Sequence, residues 1–412
     1  MRCTIFIISF FVAVNVLAQE NVMTEDQAVT YALKNSAVVH AAQYEAEAAR
    51  QLRKTSIDLP KTEVAAMFGQ YNSYAKDDNN ITISQTIPFT AFGSQASVNR
   101  SLITASTMKK SVTENALVYQ VRQVCQQLSF AYARAQLLFQ LDSILEGVYR
   151  SASARYQSGE AKMLEQTAAD AQRNESKNRL RLNDAQIMRL RHQLKALLNS
   201  EFLPDLSAKE LTELRNENPM DTSLLATNPS LTFSRQQINV AENETKLERA
   251  KFAPDLRIGY FNQTLIGSPD PETGNLSDKS DRFSGFQVGL AIPLWFGPHQ
   301  GRVKAASFRQ KQSQSEFEAE QRNLTSQLEQ AFQQLDASGS SLNYYRTSAL
   351  PNADRILKHA LLGFREGDID YAEYLLSMQG AMRIREGYLQ ALHDYNQSII
   401  YIEFLSGNKS LK

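Results

Sequence analysis

The sequence predicts a mainly α-helical protein with a membrane β part, organised as two internal structural repeats. Three observations carry this expectation. The same cues recur in the same order in both halves: Asn35-Ser36 and Asn228-Pro229, Pro60 and Pro254, Ile87-Pro88 and Ile292-Pro293, Phe92-Gly93 and Phe296-Gly297, Tyr156-Gln157-Ser158-Gly159 and Phe364-Arg365-Glu366-Gly367. Four short segments alternate apolar residues with polar or small ones, two in each half. Each half also holds a long, Pro-poor stretch whose apolar residues repeat at heptad spacing. A repeat of this kind constrains the architecture before any local assignment is made.

The order of elements follows from the N-terminus. Arg2 precedes an apolar run from Ile5 to Leu17, and Val16 and Ala18 suit a signal-peptidase site, so residues 1–18 read as a cleaved export signal. A membrane anchor is disfavoured because spanning needs about 20 apolar residues. Cys3 leaves with the signal, and no Cys follows the cleavage site to carry a lipid. Cys125 then stands alone, with no internal disulfide to make. It falls at helical spacing among Val121, Val124 and Leu128, where a small buried hydrophobe is expected.

The first repeat, 19–199, is expected to hold a helix, strands at 61–71 and 81–88, a long helix at 93–158 and its return at 162–199. In the strands, Val64, Ala66 and Phe68 alternate with Glu63, Ala65 and Met67, and Ile81, Ile83 and Ile87 with Thr82, Ser84 and Thr86. In the long helix, Leu117, Val121, Val124, Leu128, Ala131, Ala135, Leu138 and Leu145 step by fours and threes, the mark of coiled-coil packing. A linker follows at 200–223. The second repeat, 224–407, is expected to hold a helix, strands at 255–264 and 283–293, a long helix at 301–365 kinked or interrupted at Pro351, and a return helix at 369–405. Residues 408–412 are a tail.

No run past the signal reaches about 18 apolar residues, so any spanning part must be a closed β-barrel. Four strands cannot close one, since single-chain barrels need about 8, whereas three protomers would supply a twelve-stranded barrel. The turns at 72–80 and 265–282 are rich in Asp, Asn, Pro and Gly and suit solvated hairpin loops.

Composition excludes several functions. With 44 basic and 44 acidic residues and no basic stripe, nothing marks a nucleic-acid partner. His40, His192, His299, His359 and His393 form no HExxH-type pair, the nine Met do not cluster, and no phosphate loop is present. No catalytic, cofactor-binding or metal-ligating constellation is expected.

The stretch Leu350-Pro351-Asn352-Ala353, Gly363 to Gly367, Tyr388 to Leu392, Tyr395-Asn396 and Leu405-Ser406-Gly407, with Asn228-Pro229-Ser230 and Ala253-Pro254-Asp255-Leu256, resembles the outer-membrane efflux protein (TolC) family. The similarity is greatest to its CusC-like and CzcC-like heavy-metal branch. The resemblance implies a homotrimer in the outer-membrane lipid, with a 12-stranded β-barrel continuous with a periplasmic α-helical barrel. It implies a passive exit duct serving a periplasmic adaptor protein and an inner-membrane RND-type pump, with heavy-metal cations as candidate cargo. A type I secretion conduit for a polypeptide and a soluble periplasmic coiled-coil scaffold are the alternatives. By the same resemblance, the turns holding Tyr156, Ser158, Gly159, Phe364, Gly367 and Asp368 are where the adaptor docks. Glu165 and Glu373, each at the same offset from its turn glycine, mark the periplasmic constriction, narrowed by Tyr371 and Tyr374. Six acids around a narrow mouth would favour cations; the other reading of both glutamates is a solvated helix face. Asp368 and Asp370 are further gate or docking charges.

Overall fold

The computed structural model describes residues 22–71, 73–207, 209–216 and 221–407. The signal segment and its cleavage point, and the tail 408–412, lie outside the described residues, as do Asn72 of the first turn and 217–220 of the linker.

Helices α1 (Glu25–Asn35) and α2 (Ala37–Leu52) lead by a 3-10 turn to strands β2 (Glu63–Phe68) and β3 (Asn79–Ile87). The chain then enters α3 (Phe89–Gln157) and returns along α4 (Met163–Leu198). The second half repeats this order with α5 (Pro229–Ala250), β5 (Asp255–Gln263), β6 (Phe283–Ala291), α6 (Phe296–Tyr344), α7 (Leu350–Glu366) and α8 (Tyr371–Ser406). Two short strands, β1 (Val22–Met23) and β4 (Asp205–Leu206), pair in parallel and tie the start of the chain to the segment between the halves. The 69 residues of α3 reach about 100 Å at 1.5 Å per residue.

Four strands form one antiparallel sheet in the order β2-β3-β5-β6, so its two central strands come from different halves. Strand β2 has six residues, shorter than the expected 61–71, because Gly69 turns the chain out with φ at 109°. Cross-strand register lines up Val64, Ile83, Tyr260 and Phe286 in one row, with Ile258 opposite Val288 and Leu256 opposite Leu290 on the same face. That face is bare: Phe286 is 86% exposed and Val288 77%. The other face carries Glu63, Ser84 and Arg257, joined by an Arg257–Glu63 ion pair at 2.9 Å and an Arg257–Ser84 hydrogen bond at 3.0 Å. An uncovered apolar face opposite a polar one inverts what a soluble sheet would show.

The apolar stripe of α3 is buried along its length because its partners change. It packs on α2 and α5 beside the sheet, on α1 midway, and on α4 and α8 from there to the tips. Leu128, Leu190 and Leu194 are fully buried where α3 meets α4, and Leu328, Ile402 and Leu405 where α6 meets α8. Cys125 lies in the first of these cores, where burial pushes its thiol well above the ordinary range.

Pro351 was expected to kink or end its helix. The α-helical run is interrupted just before it, where the chain passes from α6 to α7 through a π-helical segment, Tyr345–Ala349. Proline cannot donate to the carbonyl a turn back and its ring crowds it, and a widened turn just before it accommodates both.

Two motifs carried by the resemblance meet at one contact. Asn228 caps α5, accepting from the Leu231 amide at 2.9 Å, while its Nδ2 donates to the Leu405 carbonyl at 2.8 Å. Gly407 ends α8 at φ 68°, and a Cβ there would lie 2.6 Å from Pro229 Cδ, so a side chain is excluded by space as well as by backbone conformation.

At the other end of the sheet, Asp78 holds both hairpin loops. Its carboxylate accepts from Ser73 Oγ, from Thr264 Oγ1 at 2.9 Å and from the Ile266 amide at 3.1 Å. The Ser73 hydroxyl is the main cause that keeps this carboxyl below its ordinary range, against desolvation and with help from Ile266 and Thr264. With its pKa depressed in the folded state, Asp78 stabilises the loops fully above the ordinary value of 3.8, and the contribution is lost as pH falls through the lower folded-state value. Hydrogen exchange at the Ile266 amide should therefore accelerate in the native protein only in strong acid, once pH falls through that lower value, and at neutral pH in Asp78→Ala. Unchanged protection in the variant would remove Asp78 as the loop anchor.

Candidate functional site: the helical tips and the bare sheet face

The residues singled out at the helix turns lie together at the end of the molecule far from the sheet, where α3 turns into α4 and α7 into α8. Both turns need a left-handed residue. Gly159 has φ 81° and Gly367 φ 82°, and nothing would meet a Cβ at either, so backbone conformation alone selects glycine. In the first turn, Glu160 N and Ala161 N both donate to the Arg155 carbonyl, at 2.8 and 3.1 Å. In the second, Asp368 N donates to the Gly363 carbonyl at 2.8 Å. Tyr156, Ser158 and Asp368 are exposed at these turns.

Phe364 is not presented in the same way. Its ring stacks on Tyr374 with centroids 4.7 Å apart, inside a cluster that also holds Val148, Ala152, Ala169 and Tyr371. Tyr371 and Tyr374, expected to narrow an opening, are 8% and 7% exposed and fill the seam between the two hairpins. Sequence spacing places both at the start of a helix but does not say which face the other hairpin covers. Burial raises the Tyr371 phenol above its ordinary range, and the neighbouring Glu165 carboxylate adds to the shift.

The two acids have different surroundings. Glu165 is part-buried and pairs with Arg155 Nη1 across its own turn at 3.0 Å. Glu373 is exposed in the first turn of α8, where negative charge is favoured at a helix N-terminus. Asp370 is the N-cap of that helix, accepting from the Glu373 amide at 2.8 Å, so a capping role accounts for it.

Sequence reasoning missed the ties between hairpins. Glu386 on α8 receives Arg134 of α3 at 2.8 Å and Arg179 of α4 at 2.9 Å, and Gln379 donates to Gln172 at 3.0 Å. Nearer the middle, Arg122 joins α1 to α8, with Glu25 at 2.7 Å and Glu403 on its other side. Single charges at heptad flanks look solvated in a sequence, so none of these had a signal of its own.

His393 is stacked on Phe130 at 4.8 Å, and burial lowers its pKa. Among the described residues no helix is long and apolar enough to cross a membrane, which leaves the sheet as the apolar surface to be explained.

The sheet has one uncovered apolar face and runs directly into the long helices α3 and α6. Residues 222–408 match the family model described as Outer membrane efflux protein, so the resemblance to that TolC-type family is shown, most directly for the second half of the chain. The chain is 25% identical to the cobalt-zinc-cadmium resistance protein CzcC of Cupriavidus metallidurans over 272 residues, 63% of this chain and 60% of that protein. It thus spans about 60% of the curated relative it matches. Among solved structures it superposes on the outer-membrane channel OprN with a TM-score of 0.79 at 15% identity, over 94% of this chain and 91% of that one. For CusC the TM-score is 0.74 at 16% identity, covering 94% and 92%. For VceC of Vibrio cholerae it is 0.75 at 14%, covering 93% and 96%. At these identities the shared property is the fold.

Proposed function

We propose that three copies of this chain form the outer-membrane exit duct of a tripartite efflux system. A periplasmic adaptor opens its helical end and an inner-membrane RND-type pump drives cargo into it. The observation that carries this reading is the four-stranded sheet, one face of which is apolar and uncovered and whose edge strands β2 and β6 have, among the described residues, no neighbour on their free sides. Open edges and bare apolar surface are both costly in water, and closure of three such sheets into a twelve-stranded barrel within lipid removes both. The long helices then continue as a tube through the periplasm. The likeness to CzcC supports metal cations as the proposed cargo.

Detergent extraction, mass determination and planar-bilayer recording test the proposal. A detergent-dependent trimer with a small, cation-preferring conductance is the expected result; a water-soluble species without conductance would overturn it. The exposed turn residues Tyr156, Ser158, Gly159, Gly367 and Asp368 are the proposed contact with the adaptor, and Phe364 supports that surface from within. Glu165 and Glu373 are the proposed acids of the constriction, while Tyr371 and Tyr374 brace it. The double variant Glu165→Gln, Glu373→Gln is expected to lose cation preference in reversal-potential measurements under a salt gradient. An unchanged reversal potential would remove both from the conduction path.

A further inference from the structure

We propose that the seam between the two hairpins holds a binding site for a zwitterionic amphiphile of drug size. A cavity of about 420 Å³ lies between α3, α4 and α8. Two cross-links between α4 and α8 bound it, Gln172–Gln379 at 3.0 Å and Arg179–Glu386 at 2.9 Å, one heptad apart on both helices. Between them the buried position of α4 is Ser176, too small to fill the gap. Its floor is apolar, formed by Leu138, Leu141 and Leu145 of α3 with Met382 of α8.

Two features point to a ligand and not to an empty packing fault. Ser176 is 2% exposed, lines the cavity, and its Oγ has no hydrogen-bond partner, whereas buried hydroxyls are normally satisfied. Glu175 of α4 and Arg383 of α8 both line the cavity, are exposed and belong to none of the ion pairs among the described residues. An apolar body in the leucine floor, an acceptor or donor at Ser176, a cationic group at Glu175 and an anionic group at Arg383 would satisfy every part of the lining. The volume lies within the roughly 300–1,000 Å³ of small-molecule pockets. Because its walls come from both hairpins, an occupant would also pin α4 to α8.

The test uses the purified full chain in lipid nanodiscs, titrated with Nε-dansyl-lysine, a fluorescent zwitterion with an apolar body, and read by fluorescence anisotropy. Saturable binding is expected, weakened about tenfold in each of Glu175→Gln and Arg383→Gln, as loss of one charge-assisted contact predicts. Uncharged dansyl amide is expected to bind at least as weakly. Ser176→Leu, which fills the cavity, should abolish binding. The two surface variants keep the test valid if that core change impairs folding. Non-saturable uptake equal to that of empty nanodiscs, or binding unchanged in both charge variants, would overturn the proposal. The readout needs no conduction, so its failure is distinct from failure of the duct reading.

Discussion

Val288→Arg is expected to prevent assembly of the protein in the outer membrane, while Gln287→Arg, one residue away, leaves assembly intact. Val288 is 77% exposed, lies opposite Ile258 and is flanked on its own face by Phe286 and Leu290. Gln287 points to the polar face, in the row of Gly259. In a lipid-facing barrel an arginine near mid-membrane costs about 2–4 kcal/mol per protomer, and the trimer would carry that cost in every copy. On the polar face the same charge stays in water. The measurement is the amount of trimer in outer-membrane fractions on semi-native gels. If both variants assemble equally the apolar face does not meet lipid, and if Val288→Arg gains solubility with unchanged assembly, the scaffold reading gains instead.

The second large effect is expected at Arg122. Its side chain is 15% exposed and joins Glu25 of α1, 23% exposed, to Glu403 of α8, 14% exposed. Burial alone disfavours the guanidinium charge, but the two carboxylates outweigh it, so Arg122 stays charged. Arg122→Leu removes the cation between two partly buried carboxylates, at a cost of about 3–5 kcal/mol. Because the cost comes from carboxylate repulsion and not from lost packing, adding Glu25→Gln and Glu403→Gln to Arg122→Leu should restore most of the stability. Thermal unfolding of the detergent-solubilised protein measures both steps. A single variant that unfolds like the native chain, or a triple variant as unstable as the single, would show that this ion triad does not hold α1 to α8.

Much of the fold was legible because two of its signals are periodic and local. The alternation at Ile81 and Ile83 and at Phe286, Val288 and Leu290 marked strands, and their exposure shows that this apolar face is left uncovered. The heptad run in α3 is buried at Leu117, Val121, Val124, Leu128, Ala131, Leu138 and Leu145, with Ala135 part-buried. Leu405-Ser406-Gly407 and Asn228-Pro229 stood out as motifs, but their meaning as one helix end seated on another helix start needed the structure. The tip was less legible. Tyr371 and Tyr374 suited an opening by their place in the sequence, yet they pack between hairpins, and Asp370 serves as a cap.

By itself, the sequence marked the long helices and the four strands of the main sheet, which strand face is apolar, and where glycine must turn a helix, because each depends on residues within a few positions of one another. Only the tertiary structure decided that β3 pairs with β5 across the two halves, that Glu386 and Arg122 tie separate helices, and that a cavity stays open beside Ser176. Those features join residues far apart in the chain, and a local pattern carries no record of which distant surface will cover it.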